Sequence, residues 1–412
     1  MALIVQKFGG SSVASPEHIK RVAKRVASTA DQGHSVVVVV SAMGDTTDDL
    51  IELAEKVSSK RSAREMDMLL TTGEQISIAL LAMALQDIGK DSISLTGGQA
   101  GIRTEAVHSK ARITDMNPSR IHSELAKGKI VVVAGFQGVT EAGDISTLGR
   151  GGSDTTAVAL AAGLKANLCE IYTDVEGVYS TDPRVVKFAR KIPEISYDEM
   201  LELANLGAAV LHPRAVEYAK QYNVPLMVRS SFTTNPGTLV KEEAVMEKGI
   251  AVRGIAHDLN VAKVALVCVP NRLENLQTVF ETLGQESVNV DIIVQSVVQN
   301  DCTDISFTVA KNDLDRALEV LNDLQSRLGA QEVISEQGVA KVSIVGAGMI
   351  SNPGVAAQMF RTLTENNIEI KMVSTSEIKV SCVIDANEVH KAVQVLHTAF
   401  NLDSVEVATV AK

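Results

Sequence analysis

The tetrapeptide Val-Ala-Lys-Val occurs twice, at 261–264 and again at 339–342, 78 residues further on. The segment after each copy is also repeated. A strand leads through a turn into a helix ending at Phe280 or Phe360, then into a strand through Val290-Asp291-Ile292 or Glu369-Ile370-Lys371. A further strand (Ile305–Val309; Val380–Ile384) and a helix (Leu314–Leu321; Val389–Phe400) complete the unit. A last strand is expected at Glu332–Ile334 in one copy and Val405–Val410 in the other. The order βαββαβ predicts a small ferredoxin-like sandwich, present twice. Neither copy carries an obvious reactive constellation, which fits a pair of binding modules.

The N-terminal part has a different rhythm. Short β-rich runs at Leu3–Phe8, Ser35–Val40, Ser92–Leu95, Lys129–Ala134, Leu168–Thr173 and Pro225–Val228 alternate with helical patterns. Those patterns cover Pro16–Ala30, Thr47–Ser58, Arg64–Asp87, Ser153–Gly163, Tyr197–Leu206 and Pro213–Tyr222, with proline in the first turn of two. Near-continuous Val/Ile/Leu in the strands implies burial on both faces, as in a mainly parallel sheet. The expected fold is therefore an α/β sandwich followed by two ferredoxin-like domains. The turn Asn235-Pro236-Gly237 and the charged stretch Lys241–Lys248 mark the passage. The expected domains are 1–245, then 246–337 with the linker, then 338–412, the last able to take a strand from 250–260.

A chain of 412 residues is too long for one core. Its 3% aromatic content, without Trp, leaves little for stacking on bases, and a net charge of -11 argues against nucleic-acid or acidic-membrane partners. A local cluster of cations and backbone N–H groups can still hold a phosphorylated ligand. Cys169, Cys268, Cys302 and Cys382 form no C-x-x-C pair and are expected to be buried, reduced thiols. Met1–Phe8 runs directly into a glycine motif, so no signal peptide is expected. The apolar run Val36–Val40 is too short to span a bilayer. A cytoplasmic protein is the expectation, and the eight His residues show no metal-ligand cluster.

Four segments carry the candidate chemistry. Lys7-Phe8-Gly9-Gly10-Ser11-Ser12 lies where the first strand ends, the end at which α/β sheets place ligands. Its glycines let an anion approach the backbone, although a plain strand-end turn would read the same. Gly149-Arg150-Gly151-Gly152-Ser153-Asp154-Thr155-Thr156 opens a helix, with Ser153 or Asp154 as the expected cap. A cap does not account for Arg150 among three glycines, whose planar fork suits a carboxylate. Tyr172–Val175 and Gly177–Arg184 leave a strand as a long loop rich in Asp, Tyr and Arg, a plausible nucleotide cradle or an Asp-Pro turn. Thr71-Thr72-Gly73-Glu74-Gln75 interrupts an apolar helical pattern, and Glu74 there either receives an ammonium group or is an ordinary exposed glutamate. Gly346-Ala347-Gly348-Met349-Ile350-Ser351 lacks the third glycine of a dinucleotide fingerprint, and no G-x-x-x-x-G-K-[ST] loop occurs.

Taken in this order, and with Ser41-Ala42-Met43-Gly44-Asp45-Thr46-Thr47 and Ser374-Thr375-Ser376-Glu377-Ile378, the motifs resemble the aspartate kinases of the amino-acid kinase superfamily. The resemblance covers nearly the whole chain, and the repeats look like ACT domains. It implies ATP-dependent phosphorylation of L-aspartate to β-aspartyl phosphate, the entry to lysine, threonine and methionine biosynthesis, with Mg2+ bound mainly through the phosphates. Lys7 would stabilise the transferring phosphoryl group and Asp154 would orient Lys7. Arg150 would hold the substrate's α-carboxylate and Glu74 its α-ammonium, with Ser41, Thr47 and Ser153 lining the site. Lys7, Gly9, Gly10, Thr173, Asp174, Tyr179, Asp182 and Arg184 would surround ATP. A feedback amino acid, lysine and/or threonine, would meet Asn271, Asp291, Gln295, Asn352, Gly354, Val355, Glu369 and Ser376.

The sequence departs from that pattern at three places. Ala209 stands where the family usually has a nucleotide-reaching Lys, implying weaker ATP binding or compensation by another cation. Pro270-Asn271-Arg272 replaces an Asp and a Pro-Gly turn, and Glu369 stands where Asn is usual. The resemblance also implies a homo-oligomer through the ACT domains, and an internal start at Met246 would give a shorter partner subunit. The competing readings are a kinase for another amino acid and a non-catalytic amino-acid sensor on a kinase scaffold. Retained Lys7 and Asp154 weigh against the sensor.

Overall fold

The computed structural model describes residues 1–206, 210–243, 251–298 and 301–403. Ala209, Met246 and the expected strand Val405–Val410 lie outside them. The N-terminal half begins with β1 (Leu3–Phe8), α1 (Pro16–Asp31), β2 (Ser35–Val40), α2 (Thr46–Val57), α3 (Ala63–Asp87) and β3 (Ser92–Leu95). It continues with β4 (Ile102–Thr104), β5 (Ile113–Met116), α4 (Ser119–Ala126), β6 (Ile130–Ala134), β7 (Gln137–Val139), β8 (Ile145–Thr147) and α5 (Gly152–Gly163). It closes with β9 (Leu168–Thr173), β10 (Glu194–Ser196), α6 (Tyr197–Asn205), α7 (Pro213–Tyr222), β11 (Leu226–Ser230) and β12 (Thr238–Lys241).

Eight of these strands form one sheet in the order β10-β12-β11-β9-β1-β2-β6-β3. From β11 to β3 every pairing is parallel. The all-valine run of β2 serves two cores at once, because successive side chains point to opposite faces. Val37 and Val39 pack with Ala157 and Leu160 of α5, whereas Val36, Val38 and Val40 pack with Ile19 and Val22 of α1 and Ile78 and Leu81 of α3. Both layers of helix are therefore written into one hexapeptide.

Chain order reverses at β1. The path leaves β1 toward β2 on one side, and later returns through α5 to β9 on the other. Such a switch point opens a crevice beyond the carboxyl ends of the strands. Lys7, Phe8 and Gly9 stand at its centre.

The C-terminal half comprises β13 (Gly254–Pro270), α8 (Leu273–Gln285), β14 (Val290–Gln295), β15 (Cys302–Val309), α9 (Leu314–Leu328), β16 (Glu332–Val345), α10 (Val355–Glu365), β17 (Met372–Thr375), β18 (Lys379–Asp385) and α11 (Val389–Ala399). The two repeats share a single antiparallel sheet, β14-β15-β13-β16-β18-β17. Its two middle strands run through both units. Residues 254–258 of β13 pair with 341–345 of β16, while 263–267 pair with 332–336. The second unit thus uses a strand that precedes the first in sequence.

Two local expectations are corrected. Cys268 and Cys302 are not free thiols. They are bonded across β13 and β15 with Cα atoms 4.9 Å apart, while Cys169 and Cys382 are buried and unbonded. A bulge between Leu266 and Val269, with Cys268 at φ +48°, turns that residue toward its partner. A separation of 34 residues in sequence gives no hint of this. The glycine at 73 lies inside α3, as the expected helix Arg64–Asp87 has it, and a Cβ there would stand 2.8 Å from that of Ala42. Finally, α5 is capped by Gly151 in the left-handed region (φ +68°), with no side-chain cap. Ser153 and Asp154 lie inside its first turn, and both side chains serve the site.

Candidate active site

Lys7 and Asp154 meet at the centre of the crevice. Lys7 leaves the end of β1 and Asp154 the first turn of α5, and their ion pair is 2.6 Å long. Both side chains are largely withdrawn from solvent, at 12% and 11% exposure, so water screens the pair little. A Cβ at Gly9 would sit 3.5 Å from Lys7 Nζ, so this glycine keeps the space beside the ammonium open.

The residue beside Asp154 joins a second motif. Ser153 Oγ lies 2.7 Å from Ser41 Oγ. The Ser41–Thr46 loop is itself tied to the end of β1 and the turn after it: Ser41 N donates to Phe8 O at 3.1 Å and Gly44 N to Gly10 O at 3.1 Å. Thr47 stands in the first turn of α2, which this loop enters.

Glu74 approaches the same loop from α3. It is 3% exposed, so the reading as a solvent-facing helix glutamate fails. Its Oε1 accepts from Ala42 N at 3.2 Å, and its Oε2 has no hydrogen-bond partner among the described atoms. Burial pushes its carboxyl up to about 7, against the opposing pull of the Ala42 N–H. A buried carboxylate oxygen lacking a donor is costly unless a ligand brings one. Arg150 lies on the turn that opens α5, with its side chain exposed.

The loop after β9 forms a separate cavity of about 220 Å3. Thr173, Asp174, Tyr179, Asp182 and Arg184 all line it, so five residues predicted from sequence come together. Asp182 accepts from the Arg184 guanidinium at 2.8 to 3.1 Å, and that contact draws its carboxyl down despite burial. Gly9 N donates to Tyr172 O at 3.4 Å, joining this loop to the end of β1.

The effector candidates divide. Asn271 and Gln295 share a cavity of about 200 Å3 with Arg272, Asn275 and Thr303. Asp291 lies elsewhere, ion-paired with Lys341, in a cavity of about 480 Å3 bounded by α6 and the start of both repeats. Gly354 caps α10 at φ +101° with Val355 as its first residue, and Asn352 Nδ2 donates to Gly348 O at 2.7 Å. Ser376 N donates to Lys379 O at 2.8 Å, and Glu369 is exposed.

Sequence reasoning passed over several residues. Asp67, fully buried on α3, accepts from Thr147 Oγ1 at 2.6 Å and Ser109 N at 3.1 Å, and lies 2.8 Å from His108 Nδ1. It organises the loop beside Gly149, and its seven-residue offset from Glu74 placed both on one helix face. His212 packs its ring against Gly151, where a Cβ would meet it at 2.1 Å, and burial draws its pKa down. Arg25 lies 5.0 Å from the Tyr172 ring and donates to Ser230 O and Thr233 O at 3.2 and 2.7 Å, holding the floor of the β9 loop. These contacts come from long-range packing and left no local motif.

The amino acid kinase family model matches residues 2–230, and an ACT domain model matches 270–325 and 342–400. Aspartokinase 2 of Bacillus subtilis (strain 168) is 59% identical over 402 residues, 98% of each chain. The aspartokinase of Geobacillus stearothermophilus is likewise 59% identical over 98% of each. Among solved structures, E. coli aspartokinase III with aspartate and ADP superposes with a TM-score of 0.80 at 27% identity, covering 96% of this chain and 99% of that one. An aspartate kinase from Synechocystis is 48% identical, with a TM-score of 0.55, over 100% of this chain and 70% of that chain.

Proposed function

The chain belongs to the aspartokinases of the amino acid kinase family, and we propose that it phosphorylates the β-carboxylate of L-aspartate at the site around Lys7, Asp154 and Glu74. The observation that carries the reading is the pairing of a withdrawn Lys7–Asp154 bridge with Glu74, whose buried Oε2 lacks a donor. An amino-acid substrate brings both missing charges: an ammonium for Glu74, and carboxylates for the cationic side.

The attacking oxygen is already anionic, so no residue has to act as general base. Catalysis rests on alignment and on neutralising two anions in a poorly screened site. Lys7, kept in place by Asp154, sets its ammonium against the phosphoryl charge. Glu74 grips the α-ammonium, Arg150 takes the α-carboxylate, and Ser41, Ser153 and Thr47 line the space between. The nucleotide would take the cavity of Thr173–Arg184, with its phosphates toward Gly9, whose N–H joins the end of β1 to Tyr172 O, and Gly10 beyond it. Mg2+, held mainly through the phosphates, would neutralise part of their charge.

A related structure, E. coli aspartokinase III with lysine and aspartate, shares this fold at a TM-score of 0.73 and 26% identity. We assign the cavity around Asn271 and Gln295 to a feedback amino acid on that basis. Edge strands β14 and β17, with Ile293 and Val294 exposed on the former, are the surfaces for self-association.

The test is direct. Protein is incubated with MgATP and L-aspartate, and acyl phosphate is trapped with hydroxylamine, with glutamate and N-acetylglutamate alongside. Hydroxamate from aspartate alone, lost in Lys7→Ala, supports the reading. Signal from another acid overturns the substrate, and no signal from any acid overturns the activity.

A further inference from the structure

The cavity assigned to the nucleotide is not walled by the catalytic half alone. Opposite Thr173–Arg184, its lining is Ile255, Ala256 and His257 of β13, the strand that opens the regulatory sheet. That wall is fixed from several sides. Ile255 N donates to Ser180 O at 2.7 Å, within the nucleotide loop itself. Ser180 Oγ lies 2.8 Å from Nε2 of the fully buried His397 on α11, whose Nδ1 lies 3.0 Å from Asp403. Gln394 of α11 also donates to Val185 O at 3.2 Å. The loop and β13 are therefore held as one body by the second repeat.

His257 is the polar side chain of this wall. It sits opposite Val342 in the sheet, with its ring edge-on to His390 of α11 at 5.7 Å. Asp182 and Arg184 face it across the cavity, while His390 and Asp258 flank it. Arg184 is already engaged by Asp182. We propose that His257 contacts the adenosine part of the bound nucleotide, so that a residue of the regulatory half helps set nucleotide affinity. This rests on the assignment of the cavity to ATP. Burial and the neighbouring His390 hold the imidazole neutral at physiological pH. A neutral ring offers one donor and one acceptor, which suits a base edge or a ribose hydroxyl better than a phosphate.

Calorimetric titration of the full-length protein with MgADP tests this, using wild type, His257→Ala, His257→Gln and His390→Ala. His257→Ala is expected to weaken MgADP by about 5- to 20-fold, the worth of one or two hydrogen bonds. His257→Gln, which keeps a donor and an acceptor, should recover to within about threefold, and His390→Ala, which does not line the cavity, should stay within about twofold. In turnover, His257→Ala should raise the KM for ATP by the same factor and leave the KM for aspartate unchanged. Unchanged MgADP affinity in His257→Ala overturns the proposal. So does an equal loss in His390→Ala, which would mark a packing effect, or a wild type that does not bind MgADP. A wild type that binds MgADP but makes no acyl phosphate overturns the kinase reading instead, and the binding comparison still decides on His257.

Discussion

Glu74 gives the sharpest test of the substrate site. Its buried carboxyl is pushed from 4.5 up to about 7. At about 1.36 kcal/mol per unit, ionising it in the empty site costs about 3 kcal/mol. The raised value fixes the sign. Neutral Glu74 favours the folded state at low pH, and that contribution is lost as pH rises through about 7. Substrate reverses the balance, because its ammonium selects the ionised carboxylate and supplies the donor that Oε2 lacks. In wild type, kcat/KM for aspartate should therefore fall about tenfold per pH unit below 7 and level off above it, with MgATP saturating. Glu74→Gln keeps the oxygen that accepts from Ala42 but removes the charge. Losing one partner of a buried charge pair costs roughly 2–3 kcal/mol here, so at pH 8 the KM for aspartate should rise about 30- to 150-fold. The acid limb near pH 7 should disappear in the variant. The ligand-free variant should also gain thermal stability over wild type at pH 8.5 but not at pH 5. A pH limb that persists in Glu74→Gln, or an aspartate KM that moves less than about threefold, refutes the reasoning.

Other consequences stem from the same geometry. Lys7→Ala should lower kcat by about 100- to 1000-fold while sparing the circular dichroism spectrum, because it removes one charge-stabilising donor; retention of a tenth of the activity would exclude Lys7 from the reaction. Gly73→Ala drives a Cβ against that of Ala42 at 2.8 Å and should cost about 1–3 kcal/mol, seen as a Tm lower by several degrees. An unchanged Tm would mean that α3 can move away from the Ser41–Thr46 loop. Alkylation under denaturing, non-reducing conditions should label Cys169 and Cys382 alone, with Cys268 and Cys302 added only after reduction. Four labels without reduction would remove the bridge.

Much of the fold was legible because strand runs and glycine turns are local signals. The core strands end within a residue or two of where β-rich runs predicted them, and β2 shows why: a hexapeptide of Ser and five Val can only be buried on both faces. The short strands β4, β5, β7 and β8 were missed. Three or four residues carry no period long enough to read, and they exist only because they pair with one another. Site residues divide along the same line. Lys7 and Asp154 announced themselves through adjacent glycines, which a close approach requires. Glu74 was visible as a residue but not as a buried one, because its burial depends on Gly73 letting α3 press against Ala42. His212 and His257 gave no signal, since each owes its position to an element distant in sequence, and Asp67 left only its seven-residue offset from Glu74.

The repeat shows the same limit in another form. Equal Val-Ala-Lys-Val segments imply two equal sandwiches, and their lysines nonetheless have different surroundings. Lys341 is 7% exposed in the shared sheet and bonded to Asp291 of the other unit, whereas Lys263 is only partly buried. The asymmetry arises because β13 enters from the catalytic half and serves the second repeat before it serves the first. One continuous strand thus carries His257 at the cavity of Thr173–Arg184, and at its far end Pro270, at the cavity with Asn271 and Gln295. A ligand that shifts the far end of β13 would act on the same strand whose near end lines the cavity of Thr173–Arg184.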